Sequence, residues 1–370
     1  MIKIIDISFY GSNNCSSLLH LVKEHEPALA YVDHIKAYST IQVIKHLDYE
    51  GTQLINGVKY TGFKSNNNFW HIPIKTIKYI KEENEDIIIV QGLIFPLQLI
   101  CLRRALGNKK IILVQHHGES PFSGIKKWLQ QKADRSVNGY LFTSIGNAQQ
   151  WIGANIIANK EKCHELLEAS TNFKKLDKPF AKKELQLNGG LNFLWVGRLN
   201  AGKDPFTVIN AFKKFSADEP TAMLYMIFQS EELLPRMKRQ IEGNPSLLSK
   251  IRLIGKVPYA DMERWYNAAD FYISGSHYEG SGYALLEAMA CGCIPIVTNI
   301  PSFKKISGNG RHAVLYQAGS AADLLLKLQG LKNMDQTSMR ESVLKYFQQQ
   351  LSFSSISAEL YSICKKLYDK

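Results

Sequence analysis

The stretch SHYEGSGYALLEAMACGCIPIV, residues 276–297, decides the fold of this 370-residue chain. Its middle part, 283–291, is rich in residues that favour helices, and Gly292 and Pro295 follow as stop signals. The apolar run 269–274 before it predicts a short buried strand. The segment is therefore predicted to be a strand, a loop, a helix and a second strand, with the loop at the carboxyl edge of a parallel sheet.

This loop has the features of an anion site. Glu279, Gly280 and Gly282 precede the predicted helix, and the free N–H groups and the dipole of a helix start favour a phosphate. We expect the glycines to let the backbone approach the ligand, because a Cβ would stand between the amides and the phosphate. The pattern predicts a phosphorylated ligand.

Glu279 and Glu287 have different predicted roles. Eight residues of helix would separate them by about 12 Å, whereas the two carboxyl groups of a retaining glycosidase are roughly 5 Å apart. We interpret Glu279 as facing the reacting part of a ligand, and Glu287 as accepting hydrogen bonds from hydroxyls such as those of a ribose. Without other evidence, two such glutamates are more commonly solvated surface charges.

Two blocks of sequence resemble the signature of the retaining family 4 glycosyltransferases, which have the two-domain GT-B fold. One is the block 276–297 with its two glutamates. The other is FLWVGRLNAGKD, residues 193–204, which resembles the first strand and loop of that family's C-terminal domain. By this resemblance Arg198 and Lys203 hold the donor pyrophosphate. The planar guanidinium of arginine and the compact ammonium of lysine also suit this role on physical grounds.

The resemblance also implies a set of site residues. The catalytic residues would be Glu279, His117, Arg198 and Lys203. The donor-binding residues would be Arg198, Lys203, Lys256, Val257, Glu279, Gly280, Ser281, Gly282, Tyr283, Ala284 and Glu287. Gly11 and His116 are further candidates. No cofactor and no metal are expected.

His117 is chosen over His116 because the His-Gly pair after the strand 111–115 is the closer match to the family. An imidazole at a strand end can hydrogen-bond a sugar hydroxyl or a phosphate. A loop histidine without a ligand is the competing interpretation. Four places depart from the family's pattern: a single glycine in 9–14, the segment 168–172, residues 229–231 where a Gly-x-Gly is common, and Ser281 where a bulky aromatic residue is frequent.

Short β-branched or aromatic runs alternate with helical segments in both halves, which predicts an α/β fold with parallel sheets. By resemblance this is GT-B: two doubly wound Rossmann-like domains facing a central cleft, with a C-terminal helix that crosses back to the first domain. The predicted strands are 2–8, 87–91, 111–115, 140–143, 192–196, 223–228, 251–254, 270–274 and 294–298. The predicted helices are 95–106, 123–132, 205–216, 231–242, 260–268, 283–291 and 353–368.

The domain boundary is predicted from composition. Residues 172–190 are charged, contain Pro179 and end in two glycines, which is typical of a linker. We place an N-terminal, acceptor-side domain at 1–175 together with the helix 353–370, and a nucleotide-sugar-binding domain at 188–350.

Composition excludes several classes of protein. An apolar fraction of 45% is that of a soluble globular chain. No signal peptide and no apolar run of the roughly 18 residues that cross a bilayer is visible. Six scattered cysteines, of which Cys291 and Cys293 are too close for the usual zinc or redox spacing, predict a reducing cytoplasm. The net charge of +12 has three interpretations. An ordinary solvated surface comes first, and docking to a membrane that carries a lipid-linked acceptor comes second. Nucleic-acid binding comes last, because no motif for it is found.

The resemblance implies an activity with open alternatives. A hexose-type sugar would pass with retention from a UDP- or GDP-linked donor to a glycan or glycolipid hydroxyl, without metal, in cell-surface polysaccharide assembly. The alternatives are a nucleotide-sugar epimerase of the same fold and a non-catalytic nucleotide-sugar-binding protein. A dehydrogenase is disfavoured, because no Gly-x-Gly-x-x-Gly follows the first strand.

Overall fold

The structure is a computed structural model. It describes the whole chain except Asn13, Asn14, Ser16, Asn67, Asn188, Gly189 and the side chains of Glu24 and Glu26. The chain divides into two compact units, which are Met1–Ser170 with Phe353–Lys370, and Thr171–Ser352. In the described part of the chain no helix is long and apolar enough to cross a membrane.

The first unit is built on a sheet of eight described strands in the order β3-β4-β2-β1-β5-β6-β7-β8. The strands are β1 (Lys3–Ser12), β2 (Thr40–Leu47), β3 (Gly51–Ile55), β4 (Val58–Lys64), β5 (Ile87–Gln91), β6 (Ile111–Gln115), β7 (Gly139–Phe142) and β8 (Cys163–Glu165). Neighbouring strands are parallel except in the β3–β4 hairpin.

The second unit contains a fully parallel sheet in the order β11-β10-β9-β12-β13-β14. Its strands are β9 (Asn192–Gly197), β10 (Met223–Phe228), β11 (Ile251–Gly255), β12 (Phe271–Ser274), β13 (Ile294–Thr298) and β14 (Val314–Tyr316). Counted within the unit this is 3-2-1-4-5-6, the doubly wound order of dinucleotide-binding folds. The prediction of two Rossmann-like α/β units is confirmed.

Helices connect the strands. Those of the first unit are α1 (Leu18–Glu24), α2 (Glu26–Leu29), α3 (Tyr31–Ile35), α4 (Ile74–Glu83), α5 (Pro96–Leu106), α6 (Gly124–Ala133) and α7 (Ile145–Gly153). Those from residue 171 onward are α8 (Lys178–Glu184), α9 (Pro205–Asp218), α10 (Leu234–Glu242), α11 (Pro245–Leu248), α12 (Tyr259–Ala268), α13 (Tyr283–Ala290), α14 (Pro301–Ile306), α15 (Ala321–Gly330), α16 (Gln336–Tyr346) and α17 (Phe353–Tyr368).

Both sheets are covered on two faces, so their central strands are almost continuously apolar. In β1, Ile4, Ile5 and Ile7 are fully buried, and in the second unit Phe193 stacks on Phe271 at 5.1 Å between ring centroids. Burial of this kind contributes about 25 cal/mol per Å² of apolar surface. It fixes the strands whose carboxyl ends carry the polar residues described below.

The C-terminal helix α17 belongs to the first unit, as predicted. It buries Ile356, Leu360 and Ile363, and the Ser357 Oγ donates a hydrogen bond of 3.0 Å to the carbonyl of Tyr31. The spacing of its apolar residues thus marks the face that packs on α3.

Two predictions about local structure are wrong. Strand and helix do not alternate strictly, since β2, β3 and β4 follow one another and the turn at Asn56 and Gly57, with φ of 49° and 76°, closes a hairpin. The first strand does not end at Ser8 but runs to Ser12, while Asn13 and Asn14 of the predicted loop lie outside the described residues.

The predicted linker, 172–190, contains the helix α8. Lys178 and Lys182 of this helix form ion pairs with Asp270, the residue just before β12. Asp270 also accepts a hydrogen bond of 2.9 Å from the backbone N–H of Asn192. The described part of this segment therefore packs on the second unit as a folded element.

Candidate functional site

The topology of the second unit places one crevice at the carboxyl ends of β9 and β12. The chain leaves β9 toward β10 on one side of the sheet and later returns to form β12 on the other side. In open α/β sheets ligands bind at this switch point. The loops that meet there are 198–204 after β9 and 275–282 after β12, and they contain both sequence blocks singled out above.

These two loops touch through their backbones. The N–H of His277 donates a hydrogen bond of 2.9 Å to the carbonyl of Gly202. A Cβ on Gly275 would lie 2.5 Å from the carbonyl oxygen of Asp204, closer than real Cβ atoms come. Gly275 is therefore the residue that lets the loops meet, and a larger residue would push them apart.

At the junction of the two loops Lys203 and Glu279 form an ion pair. The same carboxylate oxygen accepts a hydrogen bond of 2.7 Å from the Ser276 Oγ. Both side chains remain partly accessible, with 28% and 15% of the side-chain surface exposed. The structure thus brings together the predicted phosphate cation and the predicted sugar-orienting carboxylate.

Side chains from the next segments hold this loop in place. The Ser302 Oγ donates 2.7 Å to the carbonyl of Glu279, and the Thr298 Oγ1 donates 2.5 Å to the carbonyl of Ser276. Because both bonds go to the backbone, they fix the position of the Glu279 Cα without using its carboxylate. Sequence reasoning missed both hydroxyls, since nothing in their local pattern distinguishes them.

The helix α13 begins directly after this loop. Its N-cap, Gly282, has φ of 69°, and a Cβ there would lie 2.6 Å from the Ile306 Cδ1. The backbone conformation of Gly282 favours glycine, and a side chain there would also displace the Ile306 side chain of α14. Ser281 is buried beside it, and Tyr283 is 37% exposed at the helix start.

Glu287 lies one helical turn further along and is only 8% exposed. Its Oε2 accepts a hydrogen bond of 2.7 Å from the Tyr266 hydroxyl. Burial raises the pKa of this carboxyl to about 7, although hydrogen bonds from Tyr266 and Tyr259 act in the opposite direction. The Glu287 carboxyl is therefore buried and held by the hydroxyls of Tyr266 and Tyr259.

The remaining predicted donor residues lie at the same edge of the sheet. Arg198 follows β9 directly and is exposed, and Lys256 and Val257 follow β11. Since β10 lies between β9 and β11, Lys256 is two strands, or roughly 10 Å, from Arg198. Arg198 lies beside the Lys203–Glu279 pair along the chain, whereas Lys256 lies toward the far side of the crevice.

In the first unit, His117 lies in the loop after β6, next to the carboxyl end of β5, and its ring centroid is 6.2 Å from that of Tyr10 on β1. Its Nδ1 lies 2.5 Å from the Glu168 Oε1, and its Nε2 lies 2.8 Å from the Gln91 Oε1. Its backbone N–H donates 2.7 Å to the Glu119 Oε2. The predicted residue is therefore enclosed by acceptors.

The hydrogen-bond partners around His117 bear on the charge of its ring. The Asp6 carboxylate is fully buried, can only accept, and takes hydrogen bonds from Tyr31, Lys45 and the Gln91 amide N–H. The Gln91 Oε1 consequently faces His117 and needs a donor. With acceptors at both ring nitrogens, this arrangement favours the doubly protonated form of the His117 ring.

Electrostatics agree with this assignment. Burial on its own lowers the pKa of His117, but the carboxylates of Glu168 and Glu119 outweigh burial and raise it above its ordinary value. Lys45 opposes them weakly. By contrast, burial lowers the pKa of His116, whose Nε2 contacts the carbonyl of Glu119 at 3.0 Å. His116 is a fully buried part of the scaffold.

We expect Glu168→Gln to lower the pKa of His117 from above to below the ordinary value, because burial then dominates. The titration of the imidazole C–H signals by NMR measures it in the absence of any ligand. Glu161→Gln removes the same charge from an exposed position of the first unit, and it leaves the His117 titration unchanged. An equal pKa in wild type and Glu168→Gln would show that the carboxylate does not hold the proton.

Gly11, the remaining candidate, lies within β1 opposite His46 after a register shift. The Tyr10 hydroxyl beside it donates 2.6 Å to the Glu119 Oε1. Sequence reasoning missed Asp6, Gln91, Glu119 and Glu168, which build this cluster. The only available signal was their position at strand ends or next to them, which many solvated residues share.

Comparisons with known proteins show which proteins this chain resembles. Residues 177–349 match the family described as glycosyl transferases group 1. The mannosylfructose-phosphate synthase of Agrobacterium fabrum is 29% identical over 138 residues, which cover 35% of this chain and only 30% of that protein. The GDP-mannose:cellobiosyl-diphosphopolyprenol alpha-mannosyltransferase of Xanthomonas campestris is 19% identical over 349 residues, covering 89% of this chain and 87% of that one.

A solved structure has the same fold along the whole chain. The Anabaena protein HepE, crystallised with UDP and glucose, superposes with a TM-score of 0.73 at 13% identity, covering 99% of this chain and 100% of that chain. Two Rossmann-like units in one chain are the architecture of the GT-B fold, which this chain shares with HepE. Residues 177–349, somewhat less than half of the chain, are thus similar to the glycosyl transferases group 1.

Proposed function

We propose that this chain transfers a hexose-type sugar, with retention of configuration, from a nucleoside diphosphate to a hydroxyl of a glycan or lipid-linked acceptor. The observation that carries the proposal is the Lys203–Glu279 ion pair, next to the start of α13 at the switch point of the second unit. A cation, a carboxylate and the N–H groups of a helix start are the elements needed to hold a diphosphate and to orient a sugar beside it. The setting we propose is cell-surface polysaccharide assembly.

In the proposed reaction the bond between the anomeric carbon and the phosphate oxygen breaks while the acceptor oxygen bonds on the same face. Arg198, Lys203 and the amides near Tyr283 and Ala284 stabilise the charge that develops on the leaving diphosphate. The acceptor proton passes to the departing phosphate oxygen, so no protein base is required. Glu279 orients the sugar, and Glu287 accepts hydrogen bonds from the ribose hydroxyls.

We propose that this reaction uses no metal ion. Two side-chain cations and the positive end of a helix dipole can neutralise the pyrophosphate without a divalent ion. His117 lies at the edge of the first unit, and a phosphate or a sugar hydroxyl that contacts its ring would replace Gln91 or Glu168 as the hydrogen-bond partner. We place the protein in the cytoplasm, where nucleotide sugars are made, at the inner face of the membrane.

The donor is proposed to be UDP- or GDP-linked. HepE was solved with UDP, and the Xanthomonas relative is named for GDP-mannose. A thermal-shift screen of UDP, GDP and ADP sugars identifies the base, because a ligand that binds only the folded state raises its stability with ln(1 + [L]/Kd). NMR of the products then separates transfer to an acceptor from conversion of the donor alone. Conversion of the donor alone would replace the proposal by an epimerase.

Arg198→Ala is expected to lower kcat/KM for transfer by about 10²–10³, the effect of removing one donor that stabilises transition-state charge. Arg198→Lys keeps the charge but lacks the planar guanidinium that can donate two parallel hydrogen bonds, and it should recover part of the rate that Arg198→Ala loses. The matched control is Arg239→Ala on the exposed surface of α10, which keeps the wild-type rate. Initial rates with the identified donor measure all three, and full activity of Arg198→Ala would remove Arg198 from the mechanism.

A further inference from the structure

Large apolar side chains protrude from one region of the first unit. The exposed fractions of Trp70, Ile72 and Ile74 are 52%, 39% and 74%, and those of Ile125 and Trp128 are 67% and 53%. The first three lie before or at the start of α4, and the other two lie on α6. We call these five residues the aromatic surface. Such a cluster on a soluble unit marks a site of contact.

The two segments of the aromatic surface are joined. The Phe69 and Phe122 rings are 5.6 Å apart, and the Lys126 Nζ lies 4.5 Å from the Phe69 centroid and 5.6 Å from the Phe122 centroid. Trp70 packs edge-on against Phe69 at 5.1 Å. The exposed residues therefore project from one continuous aromatic base.

Buried amides hold both segments in their outward-facing conformation. The Gln98 Nε2 donates to the carbonyls of Phe69 at 3.3 Å and of His71 at 2.8 Å. The Gln130 Oε1 accepts 3.0 Å from the N–H of Phe122, and its Nε2 donates 3.1 Å to the carbonyl of Leu93. Both glutamines are almost fully buried. Exposure of the tryptophans is thus built into the fold and is not the result of a loose loop.

The charge of the aromatic surface is one-sided. Segment 68–81 carries Lys75, Lys78 and Lys81 and no acidic residue, and segment 120–133 carries Lys126, Lys127 and Lys132 and no acidic residue. Lys75 lies 3.4 Å from Glu50 and Lys78 lies 3.8 Å from Glu82, and Glu82 and Glu83 follow Lys81 at the end of α4. The helix α6, by contrast, carries Lys126, Lys127 and Lys132 and no acidic residue, so its exposed Ile125 and Trp128 lie on a positive, partly apolar surface.

The position of the aromatic surface follows from the topology of the sheet. Its segments come after β4 and β6, which run parallel to the other strands of the sheet apart from β3. They therefore lie at the carboxyl edge of the sheet, as does His117.

We propose that the aromatic surface docks the first unit on an anionic lipid leaflet. Trp and Ile insert at the level of the headgroups, and the lysines attract anionic lipid. An acidic protein or a second copy of this chain fits less well, because protein interfaces are depleted in lysine. If the proposed transfer to a lipid-linked acceptor holds, docking brings that acceptor to the edge that carries His117. The docking itself does not depend on the reaction.

Co-sedimentation with vesicles tests the docking without donor or acceptor. The full chain is mixed with vesicles of phosphatidylcholine alone and of phosphatidylcholine with phosphatidylglycerol. We expect binding to the anionic vesicles that weakens with salt. Trp70→Ser with Trp128→Ser weakens it by on the order of tenfold or more. Lys126→Gln with Lys127→Gln weakens it by roughly fivefold per lysine.

Matched controls come from the second unit. Leu248→Ser with Leu326→Ser removes side chains that are 52% and 67% exposed, and Lys213→Gln with Lys214→Gln removes an adjacent exposed pair on α9. Both controls bind vesicles as the wild type does. Thermal unfolding of each variant verifies that it is folded.

Three results would overturn the proposal. One is wild-type protein that stays in the supernatant with anionic vesicles. The second is equal loss of binding in the aromatic-surface variants and the controls. The third is a dimer in sedimentation velocity that Trp70→Ser with Trp128→Ser dissociates, with no vesicle binding, which would assign the surface to a second copy. None of these results bears on sugar transfer, which is measured separately.

Discussion

Replacing Glu279 by Gln is expected to lower the rate of sugar transfer by about 10²–10³ while making the free nucleoside diphosphate bind roughly tenfold more tightly. The first effect follows from the proposed role of the carboxylate in orienting the sugar. The second follows from the ion pair with Lys203. A diphosphate must compete with Glu279 for this cation and also meets its negative charge. The neutral amide removes both obstacles.

Two variants complete this experiment. Lys203→Gln lowers both the transfer rate and the diphosphate affinity, because it removes the cation itself. Combined with Lys203→Gln, Glu279→Gln no longer tightens binding, and the double-mutant cycle measures the coupling between the two side chains. Glu232→Gln, at an exposed position of the same unit, is the matched control and changes neither value. Calorimetry measures the affinity and initial rates measure the transfer. Weaker diphosphate binding by Glu279→Gln would contradict the idea that the diphosphate and Glu279 compete for Lys203.

The site of the second unit was predictable because its residues come from two short blocks of sequence. Arg198 and Lys203 lie in one loop, and Glu279 and Glu287 lie in the loop and the helix start of the other. A single strand–loop–helix unit determines where each block points. What the blocks did not reveal is that Lys203 and Glu279 pair with each other, since this depends on the meeting of the loops at Gly275.

The polar cluster of the first unit was not predictable in the same way. Asp6, Gln91, His117 and Glu168 come from four separate segments of the chain and meet only through the order of the strands. A single sequence contains no signal for such long-range pairing. The strand order itself depends on the β3–β4 hairpin, whose Asn-Gly turn was present in the sequence but lies between strands without clear apolar alternation.

Glu287→Gln is expected to make the ligand-free protein more stable at alkaline pH, although Glu287 is proposed to bind the ribose. Burial raises the pKa of this carboxyl from its ordinary 4.5 to about 7. Below pH 4.5 the group is protonated in both the folded and the unfolded chain. As the pH rises, the unfolded chain ionises first, so the free energy of unfolding falls until the folded group also ionises near pH 7. The loss amounts to about 3 kcal/mol.

Glutamine is neutral throughout and lacks this loss. The variant should therefore match the wild type near pH 4.5 and exceed its stability by up to about 3 kcal/mol at pH 8. Urea unfolding at several pH values measures the difference, with Glu242→Gln at an exposed position of the same unit as the control. Parallel pH dependence in variant and wild type would show that the buried carboxyl is not the source.

Nucleotide binding should change in the opposite direction. An ionised carboxylate accepts stronger hydrogen bonds from ribose hydroxyls than an amide does, by about 1.5–3 kcal/mol, so Glu287→Gln loses about 10- to 100-fold in nucleoside diphosphate affinity. For the same reason the wild type should bind more tightly as the pH rises through 7, while the variant does not. A residue that destabilises the free fold and strengthens binding is expected at a functional site. Higher stability of the ligand-free variant together with weaker nucleotide binding distinguishes this role from a purely structural one.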